Sequence, residues 1–184
     1  LQNKKIVITI GRMSKLDGNN KGYRRVIDAM SEVIKTVPRA IYLLVGSGDD
    51  VSDVRELIQK KNLEKHVFVI PAPTNEELVD YYNVADVFAM PSKNEGFPPI
   101  VILEALACGV PVVAGNQRGA EALIANKFGV VVPSDDVSAV SHAIVKILMG
   151  QDFNRQTLHK NIVEIFGMET YKERVRQFIT HIHV

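Results

Sequence analysis

The sequence predicts an α/β fold: a doubly wound parallel sheet of about six strands with helices on both faces. Three observations carry this. Short β-branched and apolar runs alternate with amphipathic segments along most of the chain. The runs are apolar throughout rather than alternating, as strands covered on both faces are. And the 184 residues, 46% hydrophobic and 23% charged, suffice for one domain with a sizeable core.

The predicted strands are KIVITIG (5–11), AIYLLVG (40–46), HVFVIP (66–71), DVFAMP (86–91), VPVVAG (110–115) and GVVVP (129–133). Between the first two, GYRRVIDAMSEVIKTV (22–37) places Val26, Ile27, Met30, Val33 and Ile34 on one helical stripe. Arg24, Arg25 and Lys35 fall outside that stripe. Helices are also predicted over 50–61 and over 74–85, where Thr74 and Glu77 have the spacing of a capping box. The run Ile100–Cys108 is apolar on every side and reads as a buried helix; Pro99 suits its first turn because a missing N–H costs nothing there. A helix over 136–150 opens on aspartates and ends on Gly150, and two more, over 152–166 and 168–182, finish the chain. In the last, Tyr171, Val175, Phe178, Ile179 and Ile182 recur at helical spacing and are expected to lack part of their packing surface.

Bulk properties exclude several classes. A net charge of +1 offers nothing to a nucleic acid by bulk attraction. A single cysteine, Cys108, excludes an intrachain disulfide and fits a reducing compartment; it sits at a small-residue helix position and reads as packing. No run approaches the roughly 18–20 apolar residues of a membrane span. No signal segment opens the chain, which enters a strand at once, as a piece cut just before a domain would. No metal site is expected: Asp49–Asp50 and Asp135–Asp136 read as helix starts, and the histidines have no ligand spacing.

Ligands of doubly wound sheets bind where strand order reverses, at the carboxyl ends of the strands. The loops after strands therefore hold the candidates. GRMSKLDGNNKG follows the first strand. Gly11 permits a tight exit, and Gly22 permits close backbone approach at a helix start, where free N–H groups favour anions. Arg12 offers a bidentate fork and Lys21 a point charge, a pair suited to a diphosphate; both also read as solvated loop charges. VGSGDD (45–50) reads as a tight turn with an aspartate N-cap rather than as a phosphate loop. The proline-containing loop IPAPTNEEL could edge a base or simply turn.

The fourth loop, PSKNEGFPP, carries Glu95 and Gly96 and leads into the helix containing Glu104. That helix N-terminus would turn its partial positive charge toward a bound phosphate. A carboxylate in an apolar helix needs a partner. Paired sugar hydroxyls would satisfy Glu104; so would neighbouring backbone N–H groups. Glu95 reads either as a ligand residue or as plain surface.

Taken together, GR…KG, ADVFAMPS, EGF, LEALACGVPVVAG and GVVV followed by acidic residues resemble the C-terminal, donor-binding domain of retaining glycosyltransferases of family 4. The match runs in order along nearly the whole chain. It implies the Rossmann-like half of the two-domain GT-B fold, so that residues 1–184 would be the donor nucleotide-sugar-binding domain, with the N-terminal acceptor-binding domain outside this chain. By resemblance, Arg12 and Lys21 hold the nucleotide diphosphate, Glu95 touches the donor sugar beside the backbone amides of Gly96 and Phe97, and Glu104 binds the ribose hydroxyls. Arg12, Lys21 and Glu95 would be the catalytic set; Gly11, Gly22, Gly96, Phe97 and Glu104 would complete the binding set.

The implied reaction moves a hexose from a UDP-, GDP- or ADP-sugar to an acceptor hydroxyl with retained configuration, with no cofactor beyond that donor. The isolated domain is expected to be inactive. The implied location is cytoplasmic or peripheral on the inner membrane face, any membrane contact coming through the missing part. Two departures stand out. Eight residues separate Glu95 from Glu104 where the family usually has seven, and Pro98, which has no N–H, stands where the family often has glycine. A nucleotide-sugar epimerase half and a non-catalytic module of the same fold are the alternatives.

Overall fold

The structure is a computed structural model. It describes residues 3–16, 20–93, 96, 98–125, 127–150 and 153–182. In chain order the elements are β1 (Lys5–Ile10), α1 (Tyr23–Thr36), β2 (Ala40–Val45), α2 (Val51–Lys60), β3 (Val67–Ile70), α3 (Asn75–Val84) and β4 (Val87–Met90). There follow α4 (Ile100–Ala107), β5 (Val112–Gly115), α5 (Ala120–Ile124), β6 (Gly129–Val132), α6 (Val137–Leu148), α7 (Arg155–Phe166) and α8 (Met168–Ile182). The six strands form one sheet in the order β3-β2-β1-β4-β5-β6, and every pairing is parallel. All six expected strands are present, trimmed by one or two residues.

Period-two alternation along each strand feeds two cores. Val7 faces a core filled by Val26, Ile27, Met30 and Val33 of α1 and Ile144 and Leu148 of α6. Its neighbours Ile6 and Ile8 face the other, filled by Tyr82 of α3, Ile102 and Leu106 of α4, and Leu158 and Ile162 of α7. Inside the first core, Tyr42 Oη donates to Thr9 Oγ1 at 2.7 Å, and Thr9 in turn donates to the Ala89 carbonyl at 2.5 Å. This chain lets β2, β1 and β4 share a buried polar link with no group left unsatisfied.

Helix starts follow the sequence closely. Thr74 and Glu77 form the capping box, and the Asp136 carboxylate accepts from the Ala139 amide at 2.9 Å. Three expectations need correction, and one helix was not expected. Asp50 occupies the N-cap of α2, but its side chain does not cap. It is 3% exposed and instead accepts from Tyr23 Oη at 2.6 Å and from Arg24 Nε at 3.0 Å and Nη2 at 2.5 Å. Burial and this carboxylate together push the Tyr23 phenol well above its ordinary range, so the hydroxyl stays a donor. Arg25 lies inside the fold at 8% exposure rather than outside the stripe. Helix α4 is not buried all round, because Ile100 is 72% exposed. And α5 is too short, at five residues, to show a period in the sequence.

The last helix keeps its exposed stripe. Tyr171, Phe178 and Ile179 are at least half exposed, with Val175 close behind, while Ile182 lies outside the described side chains. Among the described residues, no helix is long and apolar enough to cross a membrane.

The Asp50 carboxylate ties the start of α2 to the start of α1. Replacing Asp50 by alanine should cost about 2–3 kcal/mol, because it strands a buried phenol and takes two charged hydrogen bonds from a half-buried guanidinium. A urea midpoint lowered with an unchanged m-value would show this; a midpoint equal to the parent's would deny the anchor.

Candidate functional site at the strand switch

The chain leaves β1 toward β2 on one side, and after β3 it crosses back to place β4 on the other side of β1. The strand order therefore reverses between β1 and β4. Their following helices, α1 and α4, pack on opposite faces of the sheet. Two loops, 11–22 and 91–99, leave the sheet at this point, which is where ligands of such sheets bind.

The first half of loop 11–22 is bound down. The Gly11 amide donates to the Val45 carbonyl at 3.0 Å, and the Met13 amide to the Ser47 carbonyl at 2.9 Å. Asp49 accepts from the Lys15 amide at 3.0 Å. The turn after β2 thus spends its carboxylates as a brace for this loop and for α1. Arg12 is exposed, and Lys21 is half-buried. The Lys21 stem lies across Gly11: a Cβ at Gly11 would come within 3.1 Å of Lys21 Cδ. Lys21 is thereby brought back over the start of the loop, at Gly11.

Gly22 then closes the loop at the N-cap of α1 with φ +80°. A Cβ there would stand 2.6 Å from the Pro91 carbonyl oxygen. Both facts demand glycine, the first because L-residues avoid this region and the second because backbone meets backbone.

The root of loop 91–99 is held from several sides. Arg25 Nη2 donates to the Pro91 carbonyl at 3.0 Å. Ser134 Oγ donates to the Ser92 carbonyl at 2.8 Å, and Gln117 Nε2 donates to Ser92 Oγ at 2.9 Å. The Lys93 amide donates to the Asn20 carbonyl at 3.0 Å, which joins the two loops across the switch. Lys93 Nζ pairs with Asp135 at 2.6 Å, and Arg25 Nη1 lies 3.6 Å from the same carboxylate. Lys93 holds the Asp135 carboxyl below its usual range. Arg25, Ser92, Gln117 and Ser134 were not among the expected site residues. Ser92 ends the run ADVFAMPS, but Arg25, Gln117 and Ser134 lie far apart in sequence and carry no motif spacing, so only the fold assembles them with it.

Beyond that root the chain reaches Gly96, which is exposed with nothing within 4 Å of where a Cβ would stand. Glu95 and Phe97 lie outside the described residues. Pro99 is the N-cap of α4, as expected of a proline at a helix start. Glu104 sits just over one turn into α4 and is half-buried. Its Oε2 accepts from Tyr82 Oη at 2.7 Å, so its partner within the chain is a phenol rather than backbone N–H groups. Glu104 also borders an open groove of about 270 Å³ between α4 and α7. Cys108 is half-buried and free, and burial pushes its thiol upward, as befits a packing residue. Among the described residues no group of three or more histidine, cysteine, aspartate or glutamate side chains could hold a metal ion.

Residues 1–164 match the family described as "Glycosyl transferases group 1". The chain belongs to this family. It is 34% identical over 155 residues to a GDP-mannose-dependent alpha-(1-6)-phosphatidylinositol monomannoside mannosyltransferase of Mycolicibacterium smegmatis, covering 80% of this chain and 40% of that protein. It is 33% identical over 157 residues to a D-inositol 3-phosphate glycosyltransferase of Corynebacterium jeikeium, covering 80% of this chain and 36% of that protein. Its backbone superposes on a sucrose-phosphate synthase of Thermosynechococcus elongatus with a TM-score of 0.83 at 28% identity, covering 98% of this chain and 46% of that one. The chain thus forms a Rossmann-like sheet of six parallel strands, and it spans about two fifths of the length of these curated relatives.

Gly22 locks the end of the first loop against the root of the second. Gly22→Ala should cost about 1–3 kcal/mol from left-handed strain and backbone crowding. Calorimetry would register that as a melting point lower by several degrees. A parent-like melting point would mean that the two loops are not locked at Pro91.

Proposed function

We propose that this chain is the donor-binding, C-terminal half of a retaining glycosyltransferase of family 4. It would bind a nucleoside diphosphate sugar and pass the hexose to an acceptor hydroxyl when joined to an N-terminal domain. The observation that carries this reading is the convergence of two loops at the β1–β4 switch. One lays the Lys21 stem across Gly11, the residue before Arg12, and the other leads into the N-terminus of α4. The departing group in such a transfer is a nucleoside diphosphate, on which negative charge develops. A guanidinium, an ammonium and a helix N-terminus fixed around it before reaction stabilise that charge without reorganising. Glu104 would accept from the ribose hydroxyls. Glu95, Gly96 and Phe97 would meet the donor sugar. A general base, if the reaction uses one, would come from the N-terminal domain. The named activity of one curated relative, a GDP-mannose-dependent mannosyltransferase, supports a hexosyl donor, and GDP-mannose is accordingly to be tried with UDP- and ADP-sugars.

Arg12→Ala should weaken nucleoside diphosphate binding by about 1.5–3 kcal/mol through loss of a charged hydrogen bond, and Lys21→Ala should act likewise. Isothermal titration calorimetry of both variants checks the clamp, and parent-like affinity in both would remove it.

The isolated 184-residue chain should fold and bind a nucleoside diphosphate sugar weakly, since part of the enclosing wall is absent and water screens the charges. It should transfer no sugar. Incubation with UDP-glucose, GDP-mannose or ADP-glucose and simple acceptors, followed by assay of nucleoside diphosphate release, tests this. Sustained acceptor-dependent release would show that the second domain is not needed.

A further inference from the structure

Tyr82 closes α3 from the inside. It is 2% exposed, and its ring lies 6.1 Å from that of Phe88 at a 43° tilt, in the core that α3 and α4 share. A phenol has two side-chain torsions, and packing on this scale fixes both. The hydroxyl emerges at one place, and there it meets Glu104 Oε2. Burial and the adjacent carboxylate hold the phenol protonated far beyond any working pH, so Tyr82 is a permanent donor. Glutamate, by contrast, has three torsions and would otherwise sweep over the half-exposed face of α4. Among the described residues, the Glu104 carboxylate has one hydrogen-bond partner, Tyr82. An ionised carboxylate offers about four lone-pair sites, so this bond leaves most of its capacity for a ligand.

We propose that Tyr82 is a positioning residue that holds the Glu104 carboxylate in the one orientation from which it can accept the two hydroxyls of a nucleoside ribose. This rests on the reading of Glu104 as the ribose carboxylate. Tyr82 itself touches no ligand. Its effect is to remove in advance the rotational freedom that Glu104 would otherwise lose on binding.

The test compares Tyr82→Phe, Glu104→Gln and the double variant in the full chain. Each is titrated with inorganic pyrophosphate and with whichever of UDP, GDP or ADP the parent binds most tightly. Tyr82→Phe keeps the ring and removes one oxygen. Parent-like pyrophosphate affinity would certify that its fold stands. Tyr82→Phe should lose about three- to tenfold in nucleoside diphosphate affinity, the worth of one hydrogen bond, with pyrophosphate unchanged. The double variant should lose no more than Glu104→Gln alone, because Tyr82 acts only through that carboxylate. Equal losses for both ligands in Tyr82→Phe would make its role structural and overturn the proposal. So would additive losses in the double variant, or an unchanged Tyr82→Phe beside a selective Glu104→Gln. If Glu104→Gln shows no selectivity for the nucleoside, the ribose reading itself fails and the proposal falls with it.

Discussion

Where a strand ends inside a protein, its backbone groups lose the ladder that satisfied them but not their need for partners. At the carboxyl end of β4 this constraint falls on Pro91 and Ser92, which are buried just as the chain turns into the loop that would meet a ligand. The Ser92 amide bonds locally to the Met90 carbonyl, but the two carbonyls and the Ser92 hydroxyl find their donors elsewhere in the chain. Arg25 reaches in from α1, Ser134 from the end of β6 and Gln117 from beyond β5. The root of the loop is therefore fixed by three separate segments. A rigid root under an exposed tip is what a binding loop on an α/β sheet requires.

Charge within the fold obeys the same rule. Asp50 is buried and satisfied by a phenol and a guanidinium, which ties α2 to α1 and braces the loop after β1. Asp135, exposed, gathers Lys93 and Arg25 above the ends of β4 and β6. Glu104 is met by Tyr82 on the opposite face of the sheet. Two of these three carboxylates take a tyrosine hydroxyl, a donor that brings its own apolar body and so costs the core little to bury. The polar scaffold of the crevice is thus built from side chains that also serve as core.

The exposed apolar stripe of α8, from Tyr171 to Ile179, and Ile100 on α4 belong to a different account. Among the described residues both remain exposed, and the chain spans about two fifths of the length of the two curated relatives. An exposed apolar stripe of this kind is a common mark of an interaction surface.

Periodicity and strand composition by themselves determined the six strands, their parallel pairing, the helices between them apart from α5, and the two loops at the switch. These are local properties: apolar runs, a capping box at Thr74, a proline before α4 and glycines where the backbone turns. The motifs also singled out Arg12, Lys21 and Glu104, since their residue types answer to a ligand whatever their surroundings. Only the tertiary structure decided where the polar groups between elements found partners. Arg25 sits beside Arg24 in a helix whose pattern puts both outside the apolar stripe, yet it is buried because a carbonyl 66 residues away needs a donor. Asp50 stands where a cap belongs but turns to Tyr23, 27 residues earlier. Tyr82 reads as a core aromatic until its hydroxyl is seen on Glu104, 22 residues on. A hydrogen bond depends on ångström distances between groups that the sequence separates freely, and no local pattern records that distance.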